Sequence, residues 1–197
     1  MKTFYNFDPN YDTNPTEFYW FQEAFSPEEI DKIITDCSKI PTQHASIAGG
    51  GEADEITGIR KSTVRWVPQT DEFSWIYWRI SELAKEANSI WNFDLHSMPE
   101  SIQFTEYFDN GGHYDWHQDI GPGELSIRKV SVTIQLSDTN DYKGGDLEVL
   151  RGGSPEKTIR GKGVAVLFPS YILHRVSPIT RGTRRSLVLW LGGSHFK

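Results

Sequence analysis

One cysteine, Cys37, is all that the chain contains, so no disulfide can form within it and the fold must rest on packing. Nor is there an uninterrupted apolar stretch of the roughly 18 residues that a membrane helix needs. Residues 1–15 carry no apolar run of the signal-peptide kind, and the expectation is a soluble, cytoplasmic protein. An excess of basic residues is missing as well. Lys and Arg total 20 against 27 Asp and Glu, a net charge of -7. A nucleic-acid surface is usually basic, so neither nucleic acid nor membrane is an expected partner. Internal repeats and low-complexity segments are absent too. What the chain does have is aromatic bulk, with seven Trp, eight Tyr and eleven Phe, enough to fill a core and line a site. Its 197 residues suit one domain, 1–197.

The pattern along the chain changes near residue 100. Before it, two helices are expected. Ser26-Pro27-Glu28-Glu29 reads as an N-cap, a proline at the first helical position and a capping-box glutamate. Ile30, Ile33, Ile34 and Cys37 then share a face, and Pro41 ends the element. The second helix spans about Glu72 to Trp91, with Phe73, Ile76, Tyr77, Ile80, Leu83, Ala84, Ala87 and Ile90 at helical spacing. Between them the glycine-rich segment 46–62 reads as a long mobile loop, with a strand at Thr63–Val67 beyond it. After residue 100, period-two patterns and short apolar runs mark strands at 101–108, 113–117, 129–137, 146–150, 157–160, 163–168, 172–176 and 185–191. Glycine-containing turns separate them. Some eight strands at this spacing predict a mainly β fold with flanking helices. The expected architecture is a jelly roll, a double-stranded β-helix over about 101–192, with helical support from about 26–100 packed on one sheet.

The chemistry centres on His117-Gln118-Asp119 and His174. Side chains at i and i+2 of a strand point the same way, so His117 and Asp119 can reach one ion. Two imidazoles and one carboxylate form the facial triad of non-haem Fe(II) sites and leave positions free for other ligands. H-x-D alone is a weak signal, and a surface pair on an edge strand is its ordinary meaning. Arg184, ten residues after His174, offers a planar fork suited to a carboxylate. Tyr107, ten residues before His117, offers a hydroxyl. Taken singly, an arginine in a turn and a tyrosine in a core are the commoner readings of both.

The order and spacing of five segments together resemble the prolyl 4-hydroxylase branch of the 2-oxoglutarate- and Fe(II)-dependent dioxygenases, bacterial and phage-type members included. These are Tyr107 through Asp119, Lys143-Gly144-Gly145-Asp146-Leu147, Phe168-Pro169-Ser170, Leu173-His174-Arg175-Val176, and Thr180-Arg181-Gly182-Thr183-Arg184. The resemblance implies His117, Asp119 and His174 as iron ligands and catalytic centre. It implies Arg184 as partner of the distal carboxylate of 2-oxoglutarate, with Tyr107 hydrogen-bonding the cosubstrate. Gln135 stands where some relatives carry a cosubstrate-contacting tyrosine, and Trp190 where relatives line the pocket with an aromatic. Arg128, Arg60 and Trp116 are candidate substrate contacts. For Arg128 a plain surface arginine, and for Trp190 a core position, are equal alternatives. Gly144-Gly145 is assigned to the fold.

Fe(II), 2-oxoglutarate and dioxygen are the cofactors so implied, with ascorbate as a candidate reductant. The reaction implied is hydroxylation of a C–H bond, foremost in a peptidyl proline, with release of succinate and carbon dioxide. Hydroxylation of a free amino acid or other small molecule is the alternative, and a metal-binding jelly roll without catalysis is a third reading. Nucleic-acid demethylases usually carry a second arginine six residues after the cosubstrate arginine, where this chain has Trp190.

Overall fold

The computed structural model describes residues 16–44 and 58–195. Most of the segment 46–62, up to residue 57, lies outside the described residues. The first helix, α1 (Pro27–Cys37), begins as the sequence dictates. The Ser26 hydroxyl accepts from the Glu29 amide at 3.2 Å, and the Glu29 carboxylate accepts from the Ser26 amide at 2.8 Å. This reciprocal box satisfies two amides that a helix start leaves unpaired. The second, α2 (Ser74–Trp91), ends at Asn92, whose left-handed backbone stops it.

Fourteen strands among the described residues form two sheets. The larger one runs β1 (Tyr19–Phe21), β12 (Ala165–Pro169), β8 (Arg128–Gln135), β14 (Ile179–Gly193), β6 (Ile102–Phe108), β4 (Thr63–Val67) and β2 (Gln43–His44). Both β5 (Leu95–Ser97) and β9 (Tyr142–Gly144) also pair with β14. The smaller sheet runs β11 (Ser154–Lys157), β10 (Leu147–Arg151), β13 (His174–Val176), β7 (His113–His117) and β3 (Arg60–Lys61). All pairings are antiparallel, as the jelly-roll expectation requires.

Period-two alternation sorts the larger sheet into two faces. Ile102 and Phe104, Val130, Val132 and Ile134, and Leu187, Leu189 and Leu191 join Ile30, Ile33, Ile76, Ile80 and Ala84 in one apolar core beneath the helices. Tyr77 fastens α2 to this sheet: its hydroxyl donates to the Val67 carbonyl at 2.6 Å and accepts from the Ile102 amide at 2.9 Å. The opposite face turns toward the smaller sheet. There Tyr107, Tyr142, Leu147, Val149, Val166, Phe168, Val176 and Ile179 make a second core, which closes one end of the space between the sheets.

Several strands depart from their expected bounds. β14 is fifteen residues long, because its polar first half pairs with β9 and needs no apolar alternation to stay extended. Gly182, with φ +75°, permits this approach: a Cβ there would lie 1.9 Å from the Asp141 carbonyl oxygen. β11 covers 154–157 and not 157–160. The Gly152-Gly153 pair, both at positive φ, closes a two-residue hairpin that sets Arg151 opposite Ser154.

Candidate metal centre and cosubstrate pocket

His117 and His174 face each other directly across the β7–β13 pairing, their ring centroids 4.2 Å apart. Asp119 lies two residues past the end of β7 rather than on the strand. Its position is fixed by its backbone. The Asp119 amide donates to the Ser170 carbonyl at 2.9 Å, and its carbonyl accepts from Arg128 Nη1 at 3.0 Å. The three side chains then converge. Asp119 Oδ1 is 3.6 Å from His117 Nε2, and Oδ2 is 3.5 Å from His174 Nε2.

Each imidazole is oriented in the same way. His117 Nδ1 meets the Asp115 carbonyl at 2.7 Å, and His174 Nδ1 meets the Ile172 carbonyl at 2.8 Å. A carbonyl can only accept, so Nδ1 carries the proton and Nε2 is left as a lone-pair donor. Burial, followed by the neighbouring His174, pulls His117 down to about 4, so that ring is neutral near pH 7. Burial alone would raise the Asp119 carboxyl. The two imidazoles and the Ser131 hydroxyl outweigh it and hold the group below its ordinary value, as a carboxylate. Ser131 donates to Asp119 Oδ2 at 2.6 Å, and its oxygen lies 3.0 Å from Ser170 Oγ. Two imidazoles, each with Nδ1 on a backbone carbonyl, and a carboxylate, with their ligand atoms within 4.8 Å of one another, form the donor set of a divalent metal centre.

The triad opens into a pocket of about 140 Å³ between the sheets. Arg184 projects into it from β14 and is 1% exposed. Its Nη2 donates to Gln135 Oε1 at 2.9 Å and its Nη1 to Ser186 Oγ at 3.4 Å, and its guanidinium lies 5.4 Å from the centre of the Tyr107 ring. Nε has no partner. A buried cation held by neutral groups alone is costly unless an anion completes it. A dicarboxylate such as 2-oxoglutarate fits that need. Gly145 makes room for the stem: a Cβ at this position, where φ is +62°, would lie 3.0 Å from Arg184 Cδ.

Of the other expected contacts, Tyr107, Trp190, Arg128 and Arg60 line the pocket. Trp190 Nε1 is buried and faces the Asp119 carboxylate, which it helps to hold in the charged form. Gln135 does not line the pocket and reaches it only through Arg184. Arg128 is tied to the protein through each of its three nitrogens: both oxygens of Glu100 accept from it, it holds the Asp119 carbonyl, and it stacks 3.7 Å from the Trp190 ring centre. Trp116 lies outside the pocket, where the Arg175 guanidinium sits 4.8 Å from its ring centre. Sequence reasoning passed over Ser131, Ser170, Gln103, Ser62 and Tyr114. One signal was available: every residue of β8 is buried, yet Ser131, Thr133 and Gln135 are polar and share a face. A buried strand with one polar face points at a site.

A mainly β double sheet holds two histidines and one carboxylate between its layers, beside a buried arginine with no carboxylate partner among the described residues, and this is the donor arrangement that a non-haem iron site uses. Comparison with known proteins points the same way: residues 102–192, a little under half of the chain, match the family model of the 2OG-Fe(II) oxygenase superfamily. A PKHD-type hydroxylase from Teredinibacter turnerae is 36% identical over 102 residues, 48% of this chain and 45% of that protein. Another, from Picosynechococcus, is 24% identical over 175 residues, 88% of this chain and 77% of that one. This chain spans about half, or less, of the length of most such relatives. The fold is shared with a Pseudomonas putida prolyl-4-hydroxylase (TM-score 0.69, 19% identity, 90% of this chain and 93% of that one). It is shared also with a Trichoplax adhaerens prolyl hydroxylase in complex with a hypoxia inducible factor peptide (TM-score 0.72, 17% identity, 90% and 84% covered). The family and the donor set together imply Fe(II) and 2-oxoglutarate as cofactors and dioxygen as cosubstrate. Among the described residues, no helix is long and apolar enough to cross a membrane.

Proposed function

We propose that this protein is a 2-oxoglutarate- and Fe(II)-dependent hydroxylase of C–H bonds and that peptidyl proline is its substrate. The observation that carries the reading is the pairing of a metal-ready triad with Arg184, a buried guanidinium that no carboxylate among the described residues neutralises. In this reading His117, Asp119 and His174 hold the metal. Arg184 binds the distal carboxylate of 2-oxoglutarate, Gln135 and Ser186 hold Arg184 in place, and the Tyr107 hydroxyl and Trp190 line the cosubstrate's surroundings. When bound, Fe(II) and 2-oxoglutarate supply the oxidising chemistry, converting dioxygen and a C–H bond to an alcohol with succinate and carbon dioxide as the other products.

The protein's own contribution is orientation and exclusion. Arg128 binds both Glu100 oxygens and the Asp119 carbonyl, which fixes the carboxylate ligand from behind. Val176, Val188 and Leu147 give the pocket an apolar wall that keeps a reactive centre from water. No side chain needs to act as a nucleophile or general base. The prolyl assignment is supported by the fold shared with prolyl hydroxylases, one of them in complex with a peptide.

The test is incubation of a proline-rich peptide library with the protein, Fe(II) and 2-oxoglutarate, read by mass spectrometry for a gain of about 16 Da, one oxygen atom. Succinate should form with it, and His174→Ala should abolish both. Succinate formed with other compounds while no proline is modified would refute the prolyl substrate. No succinate under any condition would refute the oxygenase reading.

A further inference from the structure

Ten arginines occur in the chain, and all lie among the described residues. Seven have a carboxylate partner. Arg65 and Arg185 share Glu106, Arg79 binds Glu29, Arg128 binds Glu100, Arg151 binds Glu17 and Glu156, Arg160 binds Asp146, and Arg175 binds Glu148. Of the three with none among the described residues, Arg181 is exposed to solvent. The other two, Arg60 and Arg184, are buried, and both line the pocket.

Their settings repeat one another. Arg184 is held by a glutamine carbonyl (Gln135), a serine hydroxyl (Ser186) and a tyrosine ring (Tyr107). Arg60 is held by a glutamine carbonyl (Gln103 Oε1, 3.3 Å from Nη2), a serine hydroxyl (Ser62 Oγ, 2.9 Å from Nε) and a tyrosine ring (Tyr114, centroid 4.6 Å from Cζ). Neutral acceptors orient each guanidinium without cancelling its charge. Nη1 of Arg60 has no hydrogen-bond partner among the described residues, and the side chain lines the pocket. Arg60 starts from β3 in the smaller sheet and reaches Gln103 on β6 in the larger one, so it spans the pocket's width. Tyr114 lies between it and the metal site, stacked on His117 with centroids 3.5 Å apart.

We infer that Arg60 is a second carboxylate receptor and that the substrate of this site bears a carboxylate on, or next to, the unit that is hydroxylated. The inference rests on the oxygenase reading above and narrows its substrate class. Arg184 takes the carboxylate of the cosubstrate, and Arg60 takes that of the substrate. The two are not interchangeable, because Arg184 lies deep on β14 while Arg60 lies across a ring from a metal ligand. The carboxylate has two sources, the α-carboxylate of a free or C-terminal residue, or an acidic side chain beside the target residue.

The test uses matched pairs that differ only in charge. The probes are N-acetyl amino acids against their amides, short proline peptides with free against amidated C-termini, and the same internal peptides with Glu against Gln beside proline. Binding to the protein loaded with Mn(II) and 2-oxoglutarate is followed by calorimetry, together with turnover on Fe(II). At least one acid should bind about ten- to a hundredfold more tightly than its amide, as a charge-assisted forked contact gives. Arg60→Gln should erase that preference, and Arg60→Lys should keep part of it, while the affinity for 2-oxoglutarate stays the same in both. The pair that discriminates identifies the source of the carboxylate. A panel in which no acid outperforms its amide, or a preference that survives in Arg60→Gln, overturns the inference. The oxygenase reading fails separately, by the absence of succinate from every reaction of the parent protein.

Discussion

Replacing Ser131 by alanine removes one hydroxyl and tests how the metal site is built. Ser131 Oγ lies 2.6 Å from Asp119 Oδ2 in a buried setting, and the carboxylate can only accept, so the serine proton is committed to it. Ser170 Oγ, 3.0 Å from Ser131 Oγ, must then be the donor of the second bond. The result is a two-hydroxyl relay ending on a metal ligand. A hydrogen bond to a buried charge is worth about 1.5–3 kcal/mol, and the metal-free Ser131→Ala protein should lose stability of that order. Loss of such an outer support typically weakens metal binding by roughly ten- to a hundredfold. Ser170→Ala breaks only the neutral link, worth about 0.5–1.5 kcal/mol, and should fall between the parent and Ser131→Ala. The assay is Mn(II) titration by electron paramagnetic resonance, alongside urea unfolding of the metal-free proteins. A folded Ser131→Ala protein that binds Mn(II) as the parent does, or a Ser170→Ala protein more damaged than Ser131→Ala, would show that Asp119 is held by its backbone alone.

Three further outcomes are expected. Arg184→Gln should raise the dissociation constant for 2-oxoglutarate by at least about tenfold, measured by quenching of pocket tryptophan fluorescence, because a charge-assisted pair becomes a neutral contact; equal affinity would remove Arg184 from the cosubstrate site. Gly182→Ala should destabilise the fold by more than about 2 kcal/mol in urea, since the backbone lies at positive φ and the new Cβ meets the Asp141 carbonyl. A mild effect would mean that β9 and β14 can separate cheaply. Cys37 should resist a thiol reagent at pH 8 until the protein unfolds. Burial raises its thiol to about 12, from an ordinary value near 9. The folded state therefore favours the neutral thiol, so this contribution to stability is complete below pH 9 and declines as the pH rises toward 12. Rapid labelling of the native protein would contradict that burial.

The helices, most central strands and the metal-ligand candidates were legible because each carries a local signal. Ser26 through Glu29 announces a helix start in four residues, and the 3.6-residue stripe of Ile76, Ile80 and Ala84 needs no tertiary context. The strands β1, β5 and β9 span three residues each, too few for a period-two pattern to register. The first half of β14 was unreadable for another reason: Thr180, Arg181, Gly182, Thr183 and Arg184 lack apolar alternation, and pairing across the sheet is what extends them. Within the site, His117, Asp119, His174 and Arg184 are residue types with few structural uses at such spacing. Ser131, Ser62 and Gln103 are common types whose meaning comes only from the atom they meet. Arg128 shows the converse, a conspicuous residue whose three nitrogens are each engaged by Glu100 or the Asp119 backbone.

The two pocket arginines are anchored with very different firmness. Arg184 sits within a fifteen-residue strand flanked by β6 and β8, so the backbone beneath it cannot shift without unzipping the middle of the sheet. Arg60 belongs to a two-residue strand at the rim that, among the described residues, pairs on one side only. Changes at β3 therefore risk little of the architecture, and changes at Arg184 risk all of it. A protein built this way can trade one client for another at its margin while the engine stays as it was. A laboratory seeking new acceptors from this scaffold has its place to randomise: the short rim strand and the positions around it.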